Sequence, residues 1–306
     1  MLMKRPIIID TDPGIDDAIA IAIATASDAL DVKLITTVAG NVSLSKVTNN
    51  ALKLLALFKK EIPVAKGAKQ PLLRAPVDAS EVHGETGMDG YDFPQQADHL
   101  LMKEDAVTAM YQLLNTAEEP LTIVAIGPLT NIALLLRTHP EVSSKIAEIV
   151  LMGGALGRGN KGILAEFNIV VDPEAARIVF ESGLPIVMAP LDVGLKALVY
   201  ANDSEEIRQM NATGEMIYHI LQRYRNVQAV NGSAMYDACA IAYLLVPEIY
   251  QTVDAYVAIE TQGEYTAGAT VVDLAGSMGK TPNAKVCVDI DSTLFKKWLM
   301  ESLRKC

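Results

Sequence analysis

The stretch Pro6–Ser27, PIIIDTDPGIDDAIAIAIATAS, sets the architecture. Ile7, Ile8 and Ile9 follow one another without a polar break, so Pro6–Asp12 reads as a strand buried on both faces. Pro13 and Gly14 interrupt it, and Asp16–Ser27 reads as a helix whose first turn holds two acids, where the helix dipole favours negative charge. A strand with no polar face needs cover on both sides. A helix directly after it is half of a parallel crossover unit.

The same alternation continues outward. Val32–Val38 reads as a strand, Leu44–Phe58 as a helix and Pro63–Ala65 as a short strand. Glu104–Asn115 is a helix, Leu121–Ala125 a strand, Asn131–Arg137 a helix and Glu148–Met152 a strand. Pro173–Ser182 is a helix with proline in its first turn, followed by the strand Ile186–Ala189. Beyond Asp203 come helices at Ser204–Asn211, Gly214–Asn226 and Asp237–Val246. Hairpin-like strands near Tyr256–Glu260, Ala269–Asp273 and Lys285–Asp289 and a last helix to Lys305 complete the chain. The pattern predicts an α/β fold: a mainly parallel open sheet flanked by helices, Rossmann-like, with extra helices and short antiparallel strands in the C-terminal third. No Ser/Gly linker or composition break interrupts it, so residues 1–306 are expected to form a single domain. Gly67–Asp98 and Gly153–Val171 read as long loops, which in compact domains are often functional. Ligands of such sheets sit outside the carboxyl ends of the strands, so chemistry is sought directly after each one.

Composition narrows the partners. Half of the 306 residues are hydrophobic, and 26 Lys and Arg against 37 Asp and Glu leave a net charge of −11. That charge argues against a phosphate backbone and an anionic membrane surface, and 5% aromatic residues leave few platforms for stacking bases. Neither nucleic acid nor a membrane is expected as a partner. Met1–Asp12 is too short and turns acidic too soon for a signal peptide, and the longest apolar run, Ile19–Ala26, is far below spanning length. Cys239, Cys287 and Cys306 are an odd number without a C-x-x-C pair, which fits a reducing cytoplasm better than a disulfide framework or a zinc site.

Asp10, Asp12, Asp16 and Asp17 place four carboxylates within eight residues, at a strand end and the following helix start. Helix capping accounts for Asp16 and Asp17 but not for Asp10 and Asp12, which stand where an apolar strand ends. Converging anions repel unless a cation holds them, and all-oxygen donors select calcium or magnesium over zinc. Asp237, in Met235–Ala240 (MYDACA), opens an apolar helix and suits either an N-cap or a further metal ligand. The Gly127-Pro128 turn leaves the carbonyl of Ile126 at a strand end, where it could face a metal, while Thr130 suits a cap of the next helix. Gly157, Gly159 and Gly162 spell G-x-G-x-x-G, but a dinucleotide fingerprint must open a helix directly, and Ile163–Val171 does not read as one. Gly279-Lys280-Thr281 resembles the end of a P-loop, but Leu274 stands where the earlier glycine is needed.

The run DTDPGIDD at Asp10–Asp17 resembles the N-terminal signature of the calcium-dependent nucleoside hydrolases. Thr36–Asn41 (TTVAGN), His83–Gly90 (HGETGMDG), Val124–Asn131 (VAIGPLTN), Met152–Gly154, Glu166–Asn168 and Tyr236–Ala240 extend the resemblance over the whole chain. It is similar most of all to the bacterial broad-specificity branch, which splits purine and pyrimidine ribonucleosides to ribose and free base. The resemblance implies Ca2+ as the cofactor, held by Asp12, Asp17, the carbonyl of Ile126 and Asp237. It implies that Asp12 takes a proton from the calcium-bound attacking water and that Asp10 supports the metal shell. Asp16, Asn41, Asn160, Glu166 and Asn168 would hold the ribose hydroxyls, Met152 and Phe167 would pack against the sugar, and His83 would sit near the base. Many members carry a histidine just before the last aspartate as the leaving-group acid; Tyr236 stands there in this chain, and its phenol can donate a hydrogen bond at neutral pH. Small-molecule ribonucleosides are the implied partners, and a homodimer or homotetramer the implied assembly.

Two other functions fit parts of the pattern. An Asp-x-Asp phosphatase would use Asp10 as nucleophile and Asp12 as acid, but leaves Asp16 and Asp17 without a role. A catalytically impaired nucleoside-binding protein would follow if Tyr236 had cost the chain its turnover.

Overall fold

The computed structural model describes residues 4–224 and 232–306. In chain order the elements are β1 (Arg5–Thr11), α1 (Ile15–Ala26), β2 (Leu30–Thr37), α2 (Leu44–Phe58), β3 (Val64–Lys66), α3 (Ser80–His83), β4 (Leu101–Asp105), α4 (Ala106–Thr116), β5 (Leu121–Ala125), α5 (Thr130–Thr138) and β6 (Ile146–Met152). They continue with α6 (Phe167–Val171), α7 (Pro173–Phe180), β7 (Ile186–Ala189), α8 (Leu191–Gly194), β8 (Leu198–Val199), α9 (Ala201–Arg208), α10 (Ala212–Leu221), β9 (Ser233–Ala234) and α11 (Tyr236–Leu245). β10 (Tyr250–Ile259), β11 (Thr270–Asp273), β12 (Ala284–Ile290) and α12 (Ser292–Leu303) end the chain.

Among the described residues, ten strands form one continuous sheet in the order β11-β10-β12-β7-β6-β5-β1-β2-β3-β4. The pairs from β12 to β4 are parallel, and β10 is antiparallel to both β12 and β11. The expected mainly parallel α/β sheet is thus the observed one. Ile7 and Ile9 enter the apolar layer that also holds α1, α11 and α12, while Ile8 enters the layer on the opposite face with α4, α5 and α7. Burying each such isoleucine contributes roughly 1.5–3 kcal/mol, which is why an uninterrupted Ile-Ile-Ile run suits a central strand. α1 is buried from Ile15 to Ala24 because it lies under a second helical layer, packed against α10, α11 and α12. The chain leaves β1 toward β2, β3 and β4 on one side and resumes with β5, β6 and β7 on the other. The crevice at that reversal opens at the carboxyl ends of β1 and β5, where ligands of open parallel sheets bind.

Several expected elements differ. The helix expected from Glu104 starts at Ala106: Glu104 and Asp105 finish the edge strand β4, and the Asp105 carboxylate caps α4 by accepting from the Thr108 N–H at 3.0 Å. The C-terminal strands are not a separate hairpin, since β12 lies parallel to β7 and extends the main sheet. The helix expected at Ser204–Asn211 is Ala201–Arg208, and the one expected at Gly214–Asn226 is Ala212–Leu221, with residues 225–226 outside the described residues. Phe167–Val171, expected to be non-helical, is a short helix capped by Glu166. It opens five residues after Gly162, so the glycines do not form a dinucleotide turn at its start.

Thr130 does not cap α5; Leu129 occupies that position, and the Thr130 hydroxyl donates to Asp172 at 2.8 Å instead. Asp172 also accepts from the Leu72 N–H at 2.8 Å and the Ala175 N–H at 3.1 Å, so one buried carboxylate caps α7 and ties the loop after β3 to α5. Asp172→Ala leaves three donors without this partner and is expected to cost about 3 kcal/mol. A urea titration checks it: the midpoint should fall at unchanged slope, and an unshifted midpoint would mean that water replaces the carboxylate at no cost.

Candidate active site

The site begins where β1 runs into α1. Asp10 is the next-to-last residue of β1, and Asp12 directly follows its last residue, Thr11. Asp10 Oδ1 accepts from the Thr36 hydroxyl and from Asn131 Nδ2 at 2.8 Å, while its buried Oδ2 has no partner among the described residues. Burial raises the Asp10 pKa to about 7 against the opposing effect of those two hydrogen bonds. Asp12 Oδ2 accepts from the Asn41 N–H at 2.6 Å, and Asp12 Oδ1 is buried without a partner among the described residues. Asn41 Nδ2 spans the turn, donating to the Asp12 carbonyl and to Asp17 Oδ2, each at 3.1 Å. Asp17 is also held by the Thr11 hydroxyl and by the Gly14 N–H at 2.9 Å, so it closes the first turn of α1 while facing the cluster.

Asp237 arrives from α11, far along the chain. Met235, not Asp237, is the residue before that helix, so the N-cap role does not apply and the carboxylate is free to meet the others. Asp16, Asp17 and Asp237 each bring an oxygen within 4.8 Å of the other two, and all three are buried. Such a convergence of buried carboxylate oxygens calls for a proton or a cation to offset their repulsion. Desolvation first, and repulsion from neighbouring carboxylates second, hold Asp12, Asp16 and Asp237 above the usual carboxylate range, Asp16 at about 8. No Lys or Arg is buried among the described residues to balance them. The donor set therefore fits a hard divalent cation: convergent carboxylate oxygens and an orphaned Asp12 oxygen, with the Ile126 carbonyl at the same cavity.

Above the cluster lies a solvent-connected cleft. Asp16, Asn41, Ile126 and Asp237 line it, as do Met152, Asn160, Glu166, Phe167 and Asn168 from the loop after β6. His83, Tyr224 and Tyr236 line it as well. Asp10, Asp12 and Asp17 do not; they are fully buried, although the charge of Asp12 reaches Asp237. Glu166 caps α6, accepting from the N–H groups of Asn168 (3.0 Å), Gly154 (3.0 Å) and Ile169 (3.3 Å), and burial raises its pKa to about 7. Asn168 Nδ2 donates to the carbonyls of Ile126 at 3.2 Å and Met152 at 3.1 Å, locking the loop after β6 to the end of β5. Asn160 Oδ1 accepts from the Phe167 N–H at 2.9 Å. His83 Nδ1 accepts from the Ile15 N–H at 3.1 Å, which leaves Nε2 as the protonated nitrogen, and burial lowers its pKa to about 4. Tyr224 donates its hydroxyl hydrogen bond to Asp16 and stands 5.4 Å from the His83 ring. Among the described residues, the one Lys or Arg side chain on the cleft, Lys161, is paired to Glu81 at 2.7 Å, so no buried cation among them answers the charge of a phosphate group.

Sequence reasoning missed the residues that make room for this cluster. A Cβ on Gly40 would fall 2.1 Å from Asp12 Oδ2, and one on Gly127 would fall 2.7 Å from Asp12 Oδ1. Both glycines lie in stretches that carried the family resemblance, yet their role is a close approach across the fold that no local pattern marks. Asn131, gripping Asp10 at 2.8 Å and accepting from the Ala68 N–H at 2.8 Å, is a second case.

Among the described residues, no helix is long and apolar enough to cross a membrane. The family model described as inosine-uridine preferring nucleoside hydrolase matches residues 7–297. The non-specific ribonucleoside hydrolase RihC of Salmonella paratyphi C (strain RKS4594) is 52% identical over 301 residues, 98% of each chain. Among solved structures, an inosine-guanosine nucleoside hydrolase superposes with a TM-score of 0.90 at 32% identity, over 99% of this chain and 98% of that one. A purine-preferring ribonucleoside hydrolase from Gardnerella vaginalis superposes with a TM-score of 0.89 at 28% identity, over 98% of each chain. With the family model spanning nearly its whole length and a relative at half identity over the same span, the chain belongs to the inosine-uridine preferring nucleoside hydrolase family.

Proposed function

We propose that this chain hydrolyses the N-glycosidic bond of purine and pyrimidine ribonucleosides to ribose and free base, acting as one catalytic domain in the cytoplasm with calcium as cofactor. The observation that carries this is the group of buried carboxylates at the sheet's reversal point, uncompensated by any buried basic side chain among the described residues. The 52% identity to a non-specific ribonucleoside hydrolase supports the breadth of substrate, and three free cysteines are consistent with a reducing compartment. Asp12, Asp17, Asp237 and the Ile126 carbonyl would hold the ion. When bound, calcium supplies the countercharge for the cluster and a hard Lewis acid for water and hydroxyl oxygens.

The chain's own groups do the rest. Asp12 takes a proton on Oδ1, the oxygen without a partner among the described residues, as the attacking water bonds to C1′. The C1′–N electron pair leaves with the base, and the positive charge developing on the ribose is stabilised by the surrounding carboxylates. Asp16, Asn41, Asn160, Glu166 and Asn168 hold the ribose hydroxyls. Asn168 has Nδ2 committed to two carbonyls, so its Oδ1 is the atom left to accept. Met152 and Phe167 form the apolar wall against the sugar. On the base side the Tyr236 phenol hydrogen-bonds the departing nitrogen, with the neutral Nε2–H of His83 nearby. Asp10, itself fixed by Thr36 and Asn131, supports the metal shell from the end of β1.

Ribose release from uridine, cytidine, inosine and adenosine, each with calcium and with a chelator, tests the proposal. Release from all four that the chelator abolishes is expected, together with a melting temperature that rises with calcium by mass action. Release indifferent to the chelator would remove the metal from the proposal, and nucleoside binding without release would make the chain a binding protein.

A further inference from the structure

We propose that Gly194 seats the ring of Tyr236 and so sets the depth of the base-side wall, making this pair a determinant of purine against pyrimidine use. The inference rests on the hydrolase function proposed above. α8 follows β7 at the carboxyl end of the sheet and packs against α11, whose first residue is Tyr236. A Cβ on Gly194 would lie 2.2 Å from Tyr236 Cδ1, 3.0 Å from Cε1 and 3.2 Å from Cγ. The nearest of these is more than an ångström inside ordinary van der Waals contact, and all three atoms belong to the tyrosine ring. Gly194 is not among the glycines with positive φ, so its backbone accepts an L side chain. The ring, and not the chain's conformation, is what requires glycine here.

The backbones on either side cannot simply part. The Met235 N–H donates to the Ala197 carbonyl at 2.9 Å, and Leu198 and Val199 pair with Ala234 and Ser233 in the small β8–β9 sheet. These bonds fix the segment after Gly194 against the residues just before Tyr236. A methyl group at 194 must therefore be accommodated by the ring. Tyr236 has Gly194 against its ring and also lines the cleft with Asp237 and Tyr224, at only 7% exposure, so little space other than the cleft is open to it. Displacement carries the ring into the cleft, into space that a bicyclic base needs more than a monocyclic one.

Gly194→Ala, Tyr236→Ala and the double variant, assayed with inosine and uridine, test the pair. Gly194→Ala is expected to raise KM for inosine about tenfold and for uridine by clearly less, the size of effect one methyl group has in a packed substrate pocket. In the Tyr236→Ala background the same methyl group should change neither KM, a rescue that a merely structural role for Gly194 would not give. Unaltered inosine and uridine KM values in Gly194→Ala would overturn the inference, as would an equal cost in both backgrounds. Calorimetric binding of the same two nucleosides reads the wall without turnover. If the unsubstituted protein binds them but releases no ribose, the hydrolase function fails, while the inosine-to-uridine Kd ratio of Gly194→Ala still decides the pair.

Discussion

Asp12→Asn is expected to lower the rate of ribose release by about 10⁴-fold, at the upper end of what one general base contributes. The substituted amide keeps an oxygen for the Asn41 N–H at 2.6 Å, so the turn after β1 retains its main anchor. It loses the oxygen that can take the proton, and it loses one negative charge from the proposed calcium site. The two losses separate in a calcium titration: saturating calcium restores ion occupancy but not the base. Folding without calcium should not suffer. Burial and the neighbouring Asp17 hold the Asp12 carboxyl well above its ordinary range, so ionised Asp12 opposes folding at neutral pH and a neutral amide removes that opposition. The melting temperature in chelator should stay level or rise, whereas calcium should stabilise the variant less than the parent chain. A rate loss under tenfold at saturating calcium would assign the base to another carboxylate.

Uridine is expected to exceed 2′-deoxyuridine in kcat/KM by about 10⁴-fold, because a site built around hydroxyl partners leaves buried polar groups unpaired when the hydroxyl is missing. The physical basis is the burial of those partners. Asp16, Asn41, Glu166 and Asn168 are all 7% exposed or less, so water replaces a missing ribose oxygen poorly. Glu166 and Asn168 are also fixed, the first by three backbone N–H groups and the second by two carbonyls, and neither can turn to find another partner. A competition assay with both nucleosides in one vessel measures the ratio directly. Near-equal consumption would show that the sugar is recognised through its ring and 5′ side.

The sheet and the acidic turn were legible because both are local. An Ile7–Ile9 run followed by Pro13, Gly14 and an alanine-isoleucine helix carries the period, the break and the dipole-matched acids within one short stretch. Elements whose identity depends on a distant neighbour were harder. Glu104 and Asp105 look helical by composition, yet they end an edge strand because β3 offers them a partner on one side only. The Lys285–Asp289 strand pattern cannot show whether its neighbour runs parallel or antiparallel, and β12 has one of each.

Thr130 and Asp237 mark the boundary in the site. Each suited a helix cap, and each instead sends its side chain to a partner across the fold: Thr130 to Asp172, and Asp237 to Asp16 and Asp17. By itself the sequence determined that an apolar parallel sheet would end in a cluster of acids suited to a hard cation, since strand, turn and helix start are consecutive residues. Only the tertiary structure decided which carboxylates converge, which of their oxygens stay unpartnered, and which glycines leave them room. Those outcomes depend on side chains brought together by packing, and no period along the chain encodes a distance between residues 194 and 236.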